Sequence, residues 1–267
     1  MSETPIDCTL PSTEFAGLRI HLARRADVLG TIRRAVDSGY GGNICNLNVH
    51  AVNTAWSDPA FRHILNHADL VFVDGAGVKL GARLTGTELG ERLTPADWID
   101  DLLCQCAERR WPVFWLGDTD EVGAAFEAIL RQRYPTLSFA GRHHGFFDKT
   151  GAENDAVITR INASGAKVLL VGMSMPIQEK WIWANRERLA PPVRLALGGL
   201  ARIMTGHIRR GPRWMTDHGL EWLYRLGVQP RYTWRRYLLG NPLFLLRILG
   251  WKLFKLQPAA AGNATET

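Results

Sequence analysis

The chain has 267 residues, of which 46% are hydrophobic, and this length and composition suit one substantial core with a small accessory element. Its four cysteines form no CxxC pair and have no histidine at zinc spacing, which argues against a structural metal site and is typical of a reducing compartment. The formal net charge is +6, and the opening sequence MSETPIDCTLPSTEF has no apolar run behind a basic start, so no secretory signal peptide is expected.

Short apolar runs bounded by turn residues alternate with helical periods along most of the chain. Runs of this length between helices imply βαβ units and a buried parallel sheet. The sequence therefore predicts an α/β fold with a Rossmann-like core over residues 1–206. The predicted strands are 44–49, 70–75, 113–116, 137–141, 167–172 and 193–199, and the predicted helices include 121–134 and 178–189.

The residues that directly follow each predicted strand are candidate site residues, because ligands of parallel sheets bind outside the carboxyl ends of the strands. Asp74 ends one strand and is followed by Gly75 and Gly77, whose backbone permits close approach of a ligand. Its carboxylate could act as a general base or could cap the next helix, and the spacing alone does not choose between them. Further candidates by the same rule are Asn46, Asn48, Gly172, Gln178, Gly198 and Gly199.

The segment GMSMPIQEKW is a candidate phosphate site. It combines a glycine turn at Gly172, Pro176 near a helix start and Gln178 in the first helical turn. Exposed amide N–H groups at such a helix start can hold a phosphate.

Two other patterns bear on metals and cofactors. Asp118 and Asp120 could hold a divalent ion, but the favoured interpretation is an N-terminal cap with acidic residues in the first turn of the following helix. The glycines at 75, 77 and 81 do not have GxGxxG spacing, so a dinucleotide site is not expected. We therefore predict neither a metal site nor a cofactor.

The surplus positive charge is concentrated between His207 and Gln257. This segment holds ten Lys and Arg against two acids, which leaves 22 bases against 24 acids in the rest of the chain, and it is rich in Trp and Tyr. Such a composition predicts a helical appendage over residues 207–257 that docks on an anionic membrane surface. A solvated helical face and nucleic-acid binding are the alternatives.

The end of this basic segment predicts a helix that lies in the plane of the membrane. On a helix that starts at Leu243, the cations Arg247, Lys252 and Lys255 fall opposite a set of leucines. Residues 258–267 have no pattern to bury and are predicted to form a disordered tail.

Six segments occur in a characteristic order and spacing: LNHADLVFVDGAGV (65–78), ERLT (91–94), GRHHGFFD (141–148), VGMSMPIQEKWIWANRERL (171–189), LGG (197–199) and RRGPRWMTDHGLEWLYRL (209–226). Together they resemble the WecG/TagA/CpsF family of bacterial glycosyltransferases, in order from about residue 18 to residue 236. The resemblance implies an inverting, metal-independent transfer of a sugar from a nucleotide diphosphate to a sugar on a polyprenyl diphosphate, at the cytoplasmic face of the inner membrane. It also implies a Rossmann-like core with a C-terminal appendage that contacts the membrane.

The resemblance also assigns roles to individual residues. Asp74 matches the family's proposed catalytic base, Arg92 an arginine near the donor diphosphate, and Gln178 the glutamine of a PKQE motif. Appendage arginines thought to reach the diphosphates correspond to Arg225, Arg231 and Arg235.

The chain departs from the family pattern at four positions, which bear on donor identity. Asn46 stands where a threonine is frequent, Ile177 replaces a lysine, and Phe146 replaces a tyrosine. Arg202 stands where many members have an acid, which is compatible with an acidic sugar donor or with an ion pair to Glu179 or Asp74.

The sequence thus predicts a peripheral membrane glycosyltransferase of surface or exopolysaccharide synthesis. Its expected partners are a UDP-sugar donor, a glycan acceptor on a polyprenyl diphosphate and an anionic membrane, with no nucleic acid. The competing hypothesis is a non-catalytic membrane- or nucleic-acid-binding protein that uses the basic C-terminal segment.

Overall fold

A computed structural model describes residues 10–40 and 42–259 as an α/β fold built on a six-stranded parallel sheet. The strands are β1 (Ser12–Phe15), β2 (Leu18–His21), β3 (Gly42–Leu47), β4 (Leu70–Val73), β5 (Val113–Gly117), β6 (Phe139–His143), β7 (Val168–Gly172) and β8 (Val193–Ala196). The helices of the core are α1 (Arg25–Ser38), α2 (Val49–Ser57), α3 (Pro59–His67), α4 (Ala76–Thr85), α5 (Pro95–Glu108), α6 (Asp120–Arg133), α7 (Gly151–Ala163), α8 (Ile177–Asn185) and α9 (Leu200–Met204). The C-terminal segment forms α10 (Arg213–Asp217), α11 (Glu221–Val228), α12 (Pro230–Trp234), a π-helical turn (Arg235–Leu239) and α13 (Gly240–Phe254).

The predicted parallel sheet is confirmed, and its strands lie in the order β4-β3-β8-β7-β5-β6. All six predicted runs contain a strand, because buried parallel strands need apolar side chains on both faces. The run predicted at 137–141 begins as a strand two residues later, at Phe139. The two last strands fill the centre of the sheet, which differs from the 3-2-1-4-5-6 order of a Rossmann fold.

A short antiparallel hairpin, β1 with β2, was not predicted from the sequence. Ala16 and Gly17 form its turn, both with positive φ, and the flanking Phe15 and Leu18 are buried. A glycine between two alternating apolar runs is a hairpin signal that the sequence does contain.

Apolar side chains cover both faces of the sheet. One face packs against helices that include α2, α3 and α8, with Val52, Phe61 and Trp181 in the contact. The other face packs against α1, α5 and α6, where Trp98 and Trp115 are the largest buried side chains. Because both faces are covered, only the strand ends remain open to form a crevice.

The last helix, α13, belongs to the core rather than to a separate appendage. Phe244 and Ile248 are buried in the same cluster as Phe15, and their side chains press against Gly81 of α4, where a Cβ atom would lie 2.5 Å from the Phe244 ring. The glycine is required here because the two helices approach so closely.

Helix α13 differs from the predicted helix in its bounds and in the contacts of one cation. Helix α13 begins at Gly240 rather than Leu243, and Arg247 turns toward the body, where it donates hydrogen bonds to Asn53. Phe244 and Ile248 form an apolar face of the helix that is buried in the core. Leu246 and Leu253 lie on a second apolar face, which is exposed.

The predicted disordered tail, residues 258–267, begins with two residues that contact the core. The Ala259 amide donates to the Trp56 carbonyl oxygen at 2.9 Å, and Pro258 lies against Gly17. The remainder of the predicted tail, 260–267, lies outside the described residues.

Candidate active site

A cavity of about 2540 Å³ opens at the carboxyl ends of the central strands. The loops after β3, β4, β7 and β8 form its floor, and the C-terminal segment from Thr216 to Leu245 covers it. Sites for one small ligand commonly occupy about 300–1,000 Å³, so this cavity has room for two substrates at once.

Asp74 stands at the edge of this cavity, directly after β4. Its backbone amide donates to the Leu47 carbonyl oxygen of β3 at 2.8 Å. The cap of α4 is Gly75, with φ +91° and no side-chain hydrogen bond to the helix, so Asp74 does not cap α4 and the capping alternative is wrong. Its carboxylate instead lines the cavity.

Burial raises the pKa of the Asp74 carboxyl from 3.8 to about 6. Hydrogen bonding from Thr94 and Asn48 and the positive charge of Arg236 act in the opposite direction and limit the rise. A carboxylate with a pKa near neutrality is suited to accept a proton from a hydroxyl group.

The two predicted asparagines have different surroundings. The Asn48 side chain caps α2, accepting a hydrogen bond from the Ala51 amide at 3.0 Å, and also interacts with Asp74. Asn46 is buried, and its Nδ2 donates to the Ala196 carbonyl oxygen at 2.8 Å, which ties β3 to the end of β8.

Arg92 connects the core to the C-terminal segment. It pairs with Val73 in an isolated parallel bridge, which places it beside Asp74. Its guanidinium donates to the Thr216 carbonyl oxygen at 2.6 Å, and the residue lines the cavity. A second link is Arg210, which forms ion pairs with Asp97 of α5 and Glu221 of α11.

Gln178 holds the ends of β7 and β8 together. Its side-chain oxygen accepts hydrogen bonds from the Met173 and Gly198 amides at 3.3 and 3.0 Å, and its nitrogen donates to Glu179 at 2.8 Å. With only 1% of its surface exposed, Gln178 is part of the cavity floor and positions the glycine turn above it.

The predicted glycines serve two purposes. At Gly172 a Cβ atom would lie 2.3 Å from the Trp115 ring, so this glycine is required for packing between strands. Gly198 has φ +56°, and no atom of the described residues lies within 4 Å of its Cβ position, so it leaves space at the cavity floor. Gly199 beside it is exposed.

Arg202 forms an ion pair with Asp118, which corrects both ion pairs considered from the sequence. The guanidinium Nε and a terminal nitrogen donate to the two Asp118 oxygens at 2.6 and 2.7 Å. Its partner is therefore neither Glu179 nor Asp74. Both members of the pair line the cavity.

The structure supports the capping interpretation of the Asp118–Asp120 stretch. The hydroxyl of Thr119 caps α6 by accepting from the Val122 amide, and Asp120 forms an ion pair with Arg142. Among residues 10–40 and 42–259, no three His, Cys, Asp or Glu side chains come together in a way that could hold a metal ion.

Among the described residues of the C-terminal segment, three arginines line the cavity, and they differ at one position from the three arginines named from the sequence. Arg225 and Arg231 line it, whereas Arg235 is exposed and its guanidinium lies 5.3 Å from the centre of the Trp234 ring. Arg236 lines the cavity instead. Successive residues of a helix point in different directions, so Arg235 and Arg236 lie on different sides of this turn.

Comparison with known proteins decides the family. The family model described as "Glycosyl transferase WecG/TagA/CpsF family" matches residues 13–258. This chain belongs to the WecG/TagA/CpsF family of glycosyltransferases. The protein is accordingly an enzyme that transfers a glycosyl group.

Curated relatives from Staphylococcus aureus cover most of this glycosyltransferase. Proteins of strains MRSA252 and NCTC 8325 / PS 47 are each 31% identical over 207 residues, which is 77% of this chain and 78% of the relative. Both are named "N-acetylglucosaminyldiphosphoundecaprenol N-acetyl-beta-D-mannosaminyltransferase".

The segment GRHHGFFD (141–148) contributes some of its side chains to the transferase cavity and not others. His143 and His144 stack on each other with ring centres 4.4 Å apart and do not line the cavity, whereas Phe146 beside them lines it and is 72% exposed. Sequence reasoning missed Arg236 and His50, which both line the cavity. Arg236 follows no predicted strand, so the rule used to select candidates could not find it. His50 directly follows the predicted strand 44–49, so the same rule could have selected it.

Proposed function

We propose that this enzyme transfers a sugar from a UDP-sugar to a saccharide carried on a polyprenyl diphosphate, with inversion at the anomeric carbon. The observation that carries the proposal is Asp74, a carboxylate with a raised pKa in a cavity that also holds Arg92, Arg225, Arg231 and Arg236. The names of the Staphylococcus aureus relatives support an acceptor with N-acetylglucosamine on undecaprenyl diphosphate.

In the proposed reaction, Asp74 is the general base. An acceptor hydroxyl oxygen bonds to the anomeric carbon of the donor as the bond from that carbon to the diphosphate breaks. The hydroxyl proton passes to the Asp74 carboxylate, and the nucleotide diphosphate leaves from the opposite face, which inverts the configuration.

Cationic side chains take the role that a metal ion has in many other transferases. The leaving diphosphate gains negative charge, which guanidinium groups can meet through charge-assisted hydrogen bonds in a site sheltered from water. Arg225, Arg231 and Arg236 cover the cavity from the C-terminal segment, and Arg92 reaches it from the core. The reaction we propose therefore needs no metal ion and no other cofactor.

The C-terminal segment supports a peripheral position at the cytoplasmic face of the inner membrane. The exposed side of α13 carries Leu243, Leu246 and Leu253, with Lys252 and Lys255 nearby, and large exposed apolar patches mark interaction sites. An acceptor on a lipid diphosphate is presented at a membrane surface, so docking by this face would bring it to the cavity. Within the described part of the chain, no helix has both the length and the apolar character needed to cross a bilayer.

A transfer assay tests the function. The purified protein is incubated with a panel of UDP-sugars and a short-chain polyprenyl diphosphate that carries N-acetylglucosamine, and nucleotide release and product anomeric configuration are measured. We expect one UDP-sugar to react with inversion, and activity to survive excess EDTA. Loss of activity with EDTA and its return with magnesium would refute the metal-independent mechanism, and turnover of none of the donors would refute the proposed reaction. The identity of the sugar and its place in exopolysaccharide synthesis follow from the donor and acceptor that react.

A further inference from the structure

The Asp118–Arg202 ion pair lies at the opposite end of the cavity from Asp74. Asp74 follows β4 at one edge of the sheet, and Asp118 follows β5, with β3, β8 and β7 between them. Neighbouring strands are about 4.8 Å apart, so four steps across the sheet separate the two carboxylates by roughly 19 Å. Both nevertheless line the same cavity.

The distance between Asp74 and the Asp118–Arg202 ion pair determines which part of the donor each of them can contact. If Asp74 is the base, the anomeric carbon of the donor lies beside it, and the diphosphate follows on the side away from the acceptor. The nucleoside is joined to the sugar only through that diphosphate, so it is the part of the donor that reaches furthest from Asp74. Gly198, whose backbone leaves space on the cavity floor, lies between the two ends.

Asp118 holds the Arg202 guanidinium in a fixed orientation. The Asp118 side chain is only 8% exposed, and one of its oxygens also accepts from the Thr119 amide at 2.8 Å. Two parallel hydrogen bonds to this carboxylate orient the guanidinium plane, while the Arg202 side chain remains 42% exposed. A rigid cation of this kind loses little conformational entropy when a ligand binds.

We propose that Arg202, held by Asp118, recognises the base of the donor nucleotide and selects a base edge that offers carbonyl oxygens rather than an amino group. A guanidinium donates hydrogen bonds and accepts none, so it matches the C4 oxygen of uracil and opposes the C4 amino group of cytosine. This inference rests on the proposed function, because it takes the position of the nucleoside from the role of Asp74. If Arg202 binds the base of the nucleotide, it does not bind the donor sugar. The presence of an arginine at position 202 then does not require an acidic donor sugar.

Direct binding of nucleoside diphosphates tests the inference without a lipid acceptor. UDP and CDP form a matched pair, since they differ at C4 of the base in carrying an oxygen or an amino group. Their affinities are measured by calorimetry for the wild-type enzyme, for Arg202→Met and for Asp118→Asn. Arg142→Met is the control, because Arg142 also pairs with an aspartate at this end of the sheet but does not line the cavity.

The wild-type enzyme and the control should bind UDP about ten- to a hundredfold more tightly than CDP, as expected for one charge-assisted hydrogen bond made or lost. Arg202→Met should lose that preference, and Asp118→Asn should reduce it. If Arg202→Met does not fold because Asp118 is left unpaired, the double variant D118N/R202M removes both charges and should show the same loss of preference.

Two negative results have different meanings. If the wild type prefers UDP and the Arg202 variants keep that preference, the role of Arg202 is overturned while the transferase proposal stands. A wild-type enzyme that binds no nucleoside diphosphate would overturn both.

Discussion

Asp74, which is half-buried, and Glu179, which is fully buried, are two carboxyl groups near the strand ends with different surroundings. Asp74 lines the cavity, whereas Glu179 is buried beneath it, where one oxygen accepts a hydrogen bond from Gln178 and the other has no hydrogen-bond partner among the described residues. Burial raises the pKa of both, to about 6 for Asp74 and to about 7 for Glu179. Burial thus gives Asp74 a pKa suited to proton transfer, whereas the burial of Glu179 only lowers the stability of the folded protein.

We expect Asp74→Asn to lower turnover by roughly 10²- to 10⁴-fold, because the amide cannot accept the acceptor's proton. Donor affinity should stay near that of the wild type, since the change preserves the size of the side chain. In the wild type, kcat/KM should rise as the pH passes about 6, where Asp74 loses its proton. Full activity of the variant across this pH range would remove Asp74 from the mechanism.

Replacing Glu179 by glutamine should change how stability depends on pH. With a pKa of about 7 in the folded protein and 4.5 as its ordinary value, Glu179 keeps its proton in the folded state while the unfolded chain ionises. The wild type should therefore lose up to about 3 kcal/mol of stability between pH 4.5 and 7 from this group. The Glu179→Gln variant should lack that loss.

Thermal denaturation at pH 5 and pH 8 measures the effect of Glu179→Gln, with the exposed Glu187→Gln as the control. Parallel stability curves for Glu179→Gln and the wild type would contradict the raised pKa.

At the scale of elements, the π-helical turn Arg235–Leu239 determines which arginine meets the cavity. Asn53 of α2 donates a hydrogen bond to the Gly240 carbonyl oxygen at 2.7 Å, which anchors the end of this turn to α2. The first turn of α2 carries His50, whose pKa is lowered by burial and then by the positive charge of Arg236. The same charge limits the burial-driven rise in the pKa of Asp74. The turn therefore brings Arg236 to the base, while Arg235 stacks outward on Trp234.

Arg236→Ala and Arg235→Ala form a matched pair of adjacent substitutions. Removing Arg236 should lower kcat/KM about ten- to a hundredfold, as expected for the loss of a charge-assisted hydrogen bond to a diphosphate. It should also move the acidic limb of the pH profile upward, because the positive charge no longer favours ionised Asp74. Arg235→Ala should leave transfer to a soluble acceptor near the wild-type rate. The opposite ranking would restore Arg235 as the residue at the site.

At the scale of the whole molecule, the C-terminal segment has two structural roles, and a truncation that removes one of them also removes the other. It covers the cavity through Arg225, Arg231 and Arg236, and it contributes Phe244 and Ile248 to the main core. A chain that ended near Gly206 would expose the apolar groups these side chains cover. We predicted from composition that the core ends at residue 206 and the appendage begins at residue 207. The side chains on the two sides of that boundary pack into one hydrophobic core.

Liposome binding tests the exposed face of α13. The protein should sediment with anionic vesicles and detach as salt rises, each cation near the surface contributing about 1 kcal/mol at low ionic strength. Leu246→Glu with Leu253→Glu should weaken this binding, because both side chains are exposed on α13. Tyr40→Glu, an exposed apolar position outside the C-terminal segment, is the control.

Two results of the binding experiment would contradict the prediction that α13 docks on a membrane. Preference for RNA over vesicles would favour the nucleic-acid alternative. Binding that does not respond to the two leucine substitutions would place the docking surface elsewhere.

The amino-acid sequence by itself determined the α/β class, the six parallel strands and the position of Asp74 at a strand end. These follow from local rules, since buried parallel strands need continuous apolar runs and ligands meet such sheets at their carboxyl ends. Only the tertiary structure decided that Arg202 pairs with Asp118, that Arg236 replaces Arg235 at the cavity, and that Gln178 holds two strand ends. Each of these three contacts depends on the order of the strands or on the rotation of a helix. Strand order and helix rotation bring together residues that are far apart in the chain, and the hydrophobic periodicity of the sequence does not reveal them.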